Sequence, residues 1–376
     1  SLPVMMNAVL KSRSARRLAA LALFAVASLS VQAQPLPYQS QHETLGNVTC
    51  ASSLCHGAIK LWKDSPVLQN EYVTWSRTDK HTRAYNVLLN AKSQKIAKNL
   101  GLKQPAHEAK ICLDCHAHNI PVERRGERFK FSEGISCESC HGPAEKWIKP
   151  HVSPVGDPAQ HHANNIENGL YDTADPTSRA RLCLSCHFGN KDKLVTHRIM
   201  GAGHPRMSFE LDTFTEIAPK HFVVDKDYAE RKKVWDDAKT WAIGQALAVS
   251  ETMDILSDEK RGRDGVFPEL VLFDCHACHH QMSDGRWKPK TVFGPSIAPG
   301  LVRLNDSNMI MLRAVAMSVD AKLGERVRDQ VQKLHRAVAG DGDPRAESAN
   351  LKKLAGEIVP VIAKTEFSAA VVKRIL

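Results

Sequence analysis

Residues 112–141 read CLDCHAHNIPVERRGERFKFSEGISCESCH, and this stretch decides what kind of protein the chain is. At each of its ends, two cysteines separated by two residues are followed at once by histidine: Cys112, Cys115 and His116, then Cys137, Cys140 and His141. The pattern recurs at Cys183, Cys186 and His187 and at Cys275, Cys278 and His279. A longer form, with four residues between the thiols, stands at Cys50, Cys55 and His56. The five pairs consume all ten cysteines of the chain.

CxxCH is the attachment pattern of a c-type haem. Two thiols add to the vinyl groups on one porphyrin edge, so they must sit a short, fixed distance apart, and the next residue offers an imidazole to the iron. A two-residue gap on a helical turn meets both demands; a four-residue gap meets them only if its loop bulges. Histidine is 18 of 376 residues, so finding it by chance in five designated places has odds of about one in a few million. Zinc ribbons use CxxC pairs two at a time, and five is odd. A thioredoxin-like site needs a βαβ context that the sequence lacks. The reading is five covalently bound haem c groups, with His56, His116, His141, His187 and His279 as proximal iron ligands.

Thirteen histidines remain, and five of them suffice to give every iron a second imidazole. Two nitrogen ligands make an iron suited to electron transfer, whereas an open position admits substrate. Context favours four as distal ligands. His81 lies where Asp79 can cap a helix with apolar positions at Ala84, Val87, Leu88 and Ala91. His118 is too close to His116 to serve the same haem and would reach a neighbouring one. His151 follows a proline-containing stretch, and glycine and proline flank His204. His42, His162, His197, His221 and His280 rank behind these, and His335 reads as structural.

At 43% hydrophobic and 24% charged residues, the chain is globular, and no apolar run reaches the roughly 18 residues of a membrane span. Lys11, Arg13, Arg16 and Arg17, the apolar residues 18–30 and Val31-Gln32-Ala33 read as a cleaved secretory signal peptide and imply a periplasmic protein with no stable span. A retained anchor is the alternative, with a run that is short for it. Cleavage would remove four positive charges, taking the formal charge from +10 to +6. Ten propionates and five ferric cores would bring that to about +1. The basic chain therefore gives no argument for nucleic acid, and no nucleic-acid motif accompanies it. Arg124, Arg125, Arg128, Arg179, Arg181 and Arg206 read as propionate partners or as solvated surface.

The expected fold is mainly α with extensive loop: a multihaem cytochrome c wrapped around stacked haems, plus a C-terminal helical bundle and no substantial sheet. Residues 1–33 are the signal peptide, 34–225 a tetrahaem domain and 226–376 a helical region carrying the fifth haem. The short chain between His116 and Cys137 suggests adjacent second and third haems. Residues 231–257 place Trp235, Ala238, Ala242, Val249, Met253 and Leu256 on one helical face. Residues 306–320, 325–339 and 345–358 read as further amphipathic helices, with Gly340 as a stop and Pro360 as a break.

Leu45-Gly46, WSRTDKHTRAYNVL around His81, CLDCH and GISCESCHGPAEKW together resemble the cytochrome c-554 family over roughly residues 42–210. The resemblance implies stacked haem pairs, periplasmic electron transfer, and His81 and His151 at positions that match distal ligands. It also allows one iron with an open position, since that family can show weak reduction of small nitrogen oxides. The long first motif, the fifth haem and the C-terminal extension depart from the pattern. The leading expectation is an electron carrier between redox proteins. An oxidoreductase acting on a small nitrogen or sulfur compound at a five-coordinate haem is the alternative, and a non-catalytic subunit of a redox complex is a third.

Overall fold

The computed structural model describes residues 33–63, 67–153, 156–232, 234, 236–264, 267–280, 292–293 and 303–376. The signal-peptide reading of the leader and Trp235 of the expected helical face fall outside them.

The first half of the described chain is loop punctuated by short helices: α1 Glu71–Thr78, α2 Ala84–Val87, α3 Ala91–Asn99, α4 Lys110–His116, α5 Cys137–His141, α6 Pro158–Glu167, α7 Pro176–His187 and α8 His197–Gly201. Their starts are set locally. Asn90, Asp157, Asp175 and Thr196 each cap a helix by accepting from a backbone amide of the first turn, and proline occupies the first helical position of α6 and α7. Apolar burial here is modest. One cluster joins Leu88, Ala97, Ala106, Leu113 and Ala117, and another joins Leu100, Ile199 and Ala202.

Beyond α9 Leu211–Ile217 and α10 Lys226–Arg231 the helices lengthen: α11 Asp237–Ser257, α12 Ser307–Val319, α13 Ala321–Val338, α14 Pro344–Lys364 and α15 Ala369–Ile375. Thirteen of the 21 residues of α11 are buried, too many for one stripe, so α11 is the central helix, with α14 and α12 packed on it. Gly244 permits this packing, because a Cβ there would stand 2.8 Å from Cβ of Leu211 on α9. Ile243, Met253, Leu312, Leu334, Leu351 and Ile362 are fully buried, each contributing about 1.5–3 kcal/mol of transfer free energy. The same core reaches back to Ala180 and Leu184 of α7, and Leu36–Leu376 form one compact unit.

Two expectations shift. The helix read from residue 325 starts at Ala321, capped by Asp320. Pro360 does not break α14, which continues to Lys364. Leu351, Leu354, Ala355, Ile358 and Ile362 lie buried along that helix, and the packing outweighs the one backbone hydrogen bond that proline forgoes. The only sheet among the described residues is a two-residue ribbon, Arg263–Asp264 against Phe267–Pro268. The fold is mainly α.

Candidate functional site

Three motif histidines, His116, His141 and His187, are each the last residue of their helix, α4, α5 and α7, so the preceding cysteines lie on the final helical turn. The fifth motif closes its turn with His279 N–H donating to the Cys275 carbonyl at 2.7 Å. The longer first motif reaches the same closure by a bulge. Cys55 N–H donates to Ser52 O, and His56 N–H donates to Cys50 O at 3.1 Å. Gly57 is required next, since a Cβ there would stand 1.9 Å from the Ala51 carbonyl oxygen. Glu138 fastens the third motif to the first: its carboxylate accepts from the amides of Leu45, Gly46 and Ala144 at 2.7–2.9 Å. Gly46, at φ +93°, brings the chain against Arg128 O, where no side chain fits.

Every motif histidine faces a second imidazole. The ring centres are 6.3 Å apart for His56 and His151, 6.4 Å for His116 and His204, and 6.1 Å for His141 and His221. They are 5.8 Å apart for His187 and His81, and 6.2 Å for His279 and His197. The five separations fall between 5.8 and 6.4 Å. Two metal–nitrogen bonds of about 2.0 Å, plus roughly 1.1 Å from each nitrogen to its ring centre, span about 6.3 Å. The residues therefore fit an iron held between each pair.

Hydrogen bonds fix five of these rings in the tautomer that ligation needs. Nδ1 of His116, His151 and His204 donates to the carbonyls of Ala84 (3.0 Å), Ile148 (2.6 Å) and Pro205 (2.8 Å). Nδ1 of His56 donates to Glu71 at 3.0 Å, and Nδ1 of His81 donates to Asp79 at 2.9 Å. Each arrangement leaves the Nε2 lone pair free for a metal. The carboxylates push His56 and His81 above the ordinary imidazole value. Burial does the opposite elsewhere, lowering His116, His151, His187 and His221 and holding His141 down to about 3.

The eight imidazoles of the first four pairs line one cavity of about 2480 Å³. A quarter of it, about 620 Å³, lies within the roughly 300–1,000 Å³ of a single cofactor site. Arg125, Arg179, Lys193, Arg231, Lys232 and Arg261 reach its wall and supply cations for acidic groups. Sulfur contacts relate the motifs to one another. The thiols of Cys50 and Cys137 lie within interaction reach of each other, and so do those of Cys115 and Cys186. Burial, with Cys183 adding, pushes Cys140 up to about 12. None of the ten cysteines is paired in a disulfide. Thiol proximity thus joins motif one to three and two to four, while the flanks of motifs two and three are tied by His118 N–H donating to Gly134 O at 3.1 Å.

Three of the four histidines favoured from sequence, His81, His151 and His204, stand opposite motif histidines. His118 does not. It is 4% exposed, and its Nε2 shares a 3.1 Å hydrogen bond with Thr44 Oγ1. Its short tether to α4 turns it inward onto the parallel bridge between Thr44 and Arg125. Burial, with Lys193 and Arg124 adding, holds it down to about 3. His221 and His197, which the sequence places behind those four, stand opposite His141 and His279. His221 stands two residues after Pro219, and His197 opens α8 with its amide donating to buried Glu269 at 2.7 Å. Of these two anchors only the nearby proline is a signal the sequence carries, since the contact of His197 with Glu269 joins residues far apart in the chain. His335 is buried beside Asp306 and Phe293 in the helical core, as its helical context implied.

Residues 49–142 match the family model described as cytochrome c554 and c-prime. The match spans the first three motifs and His81. No curated protein matches the chain. No solved structure matches it either. No helix among the described residues is long and apolar enough to cross a membrane.

Proposed function

Taking the chain as a c-type cytochrome that resembles the c554 family over residues 49–142, we propose that it is an exported pentahaem electron carrier. Ten cysteines tether five haems, four on residues 34–225 and the fifth on 226–376. Each iron takes two histidines: His56 with His151, His116 with His204, His141 with His221, His187 with His81, and His279 with His197. The observation that carries this reading is the common 5.8–6.4 Å separation of the five imidazole pairs. Haem iron supplies one-electron redox chemistry, and two strong-field nitrogens keep it low-spin with little rearrangement on reduction. The imidazoles and their Nδ1 acceptors hold that geometry in both redox states. The sulfur relations of Cys50 with Cys137, Cys140 with Cys183 and Cys115 with Cys186 support a haem order of one, three, four, two. The oxidoreductase alternative needs an iron with an open position, and no motif histidine here lacks an opposing imidazole. The electrons pass between other redox proteins, in a periplasm-like compartment where covalent haem attachment takes place.

Electron paramagnetic resonance of the oxidised protein tests this, after intact mass has counted the rings. The ligand planes lie at 16° and 32° for the first and fifth pairs and at 76–84° for the other three. Two rhombic and three strongly axial low-spin signals are expected, with no stoichiometric high-spin signal. His221→Ala turns one haem of the five high-spin, and His118→Ala turns none. A high-spin haem in the unaltered protein, or a spin change on removing His118, defeats the reading.

A further inference from the structure

The acceptors behind the paired imidazoles are of two chemical kinds, and the difference does not follow from the haem motifs. His116, His151 and His204 each donate Nδ1–H to a neutral backbone carbonyl. His56 and His81 donate to the carboxylates of Glu71 and Asp79. Both carboxylates are held from their own side. Glu71 also accepts from Gln69 N–H at 3.2 Å, and Gln69 is the one non-glycine residue at positive φ (62°) among the described residues. Such a conformation persists only where its surroundings enforce it. Asp79 accepts both the amide and Nδ1 of His81 at 2.9 Å, doubling as the cap of the helical turn Lys80–Arg83. The side chains of Glu71 and Asp79 are only 17% and 15% exposed, so solvent screens their charge weakly.

Resting on the ligand pairs proposed above, we infer that Glu71 and Asp79 are positioning residues that lower the reduction potentials of the first and fourth haems relative to the second. An anionic acceptor draws the Nδ1 proton, gives the imidazole imidazolate character and makes it a stronger donor, which favours ferric over ferrous iron. The second haem has carbonyl acceptors behind both of its imidazoles and lacks this bias. In the order one, three, four, two, the carboxylates therefore make one end and one interior position the less readily reduced sites, and an electron entering the row comes to rest on the second haem in preference to the first.

The test is a spectroelectrochemical titration of the holoprotein beside Glu71→Gln and Asp79→Asn, with the low-spin signals followed at each potential. Both variants keep the side chain's size, and asparagine caps a helical turn as well as aspartate does. Each variant is expected to raise one midpoint so that the reduction equilibrium of that haem changes about tenfold, 59 mV for one electron. The other four midpoints stay in place, and Glu71→Gln moves a different haem from Asp79→Asn. Unmoved or lowered midpoints in proteins that retain five low-spin haems overturn the inference. Fewer than five low-spin haems in the unaltered protein overturns the ligand pairing itself, and the two failures are read from different samples. Should Glu71→Gln attach haem incompletely, the sign of the Asp79→Asn shift decides alone.

Discussion

Residues 36–225 and residues 226–376 solve the burial problem in opposite ways. In the later region long helices meet around one apolar core, with Met253, Leu312, Leu351 and Ile358 at essentially zero exposure. In the earlier region, apart from Ala180, Leu184, Leu194 and Leu211, which join that core, the apolar clusters among the described residues are small, and the helices instead surround a cavity of about 2480 Å³ lined with imidazoles and cations. The contrast teaches where each region's stability comes from. Side chains alone give the bundle a reason to fold. The motif region draws its cohesion from caps, from Glu138 and Asn47 clamping the first motif to the third, and, on the proposed reading, from the haems themselves.

The largest test of this contrast is to withhold haem. Chain exported without haem attachment is expected to lose amide-exchange protection across residues 45–187, while α11, α13 and α14 keep theirs. Protection in both regions, or in neither, breaks the comparison. Next, Leu351→Ala opens a cavity in the bundle and should cost about 2–5 kcal/mol in denaturant unfolding of that region, leaving the haem spectrum unchanged. A spectral change would show that the two regions share one packing network more tightly than their cores suggest.

The smallest effect is a titration confined to the bundle side. Burial pushes Glu251 of α11 up to about 7, with Asp254 and Asp192 adding and Arg181 and Lys352 opposing. Since the folded state holds this proton more tightly than the unfolded chain, the stability it contributes is present below about pH 4.5 and is lost as pH rises to about 7. The loss should be about 2–3 kcal/mol at most, and Glu251→Gln should flatten that slope. An unchanged slope in the variant places the titration elsewhere.

Legibility in the sequence followed the range of the forces involved. CxxCH is a local pattern, so the five attachment turns could be read directly, including the bulge that the first motif needs. The helices of the bundle were readable from apolar spacing, since a buried stripe repeats with the helical period. Pro360 and residues 321–324 were misjudged because local propensity is weaker than the packing of a whole helix face. At Gly324 a Cβ would meet Met317, a contact that only the folded chain reveals.

The sequence by itself determined the five cysteine-pair motifs and the histidine that follows each, the groups the proposal assigns to haem, because that pattern is confined to a few consecutive residues. Only the tertiary structure decided which histidine faces which: His221 and His197 took places that His118, drawn to Thr44, did not. The second imidazole of each pair is brought from far along the chain, and little in its own neighbourhood records the ring it will meet.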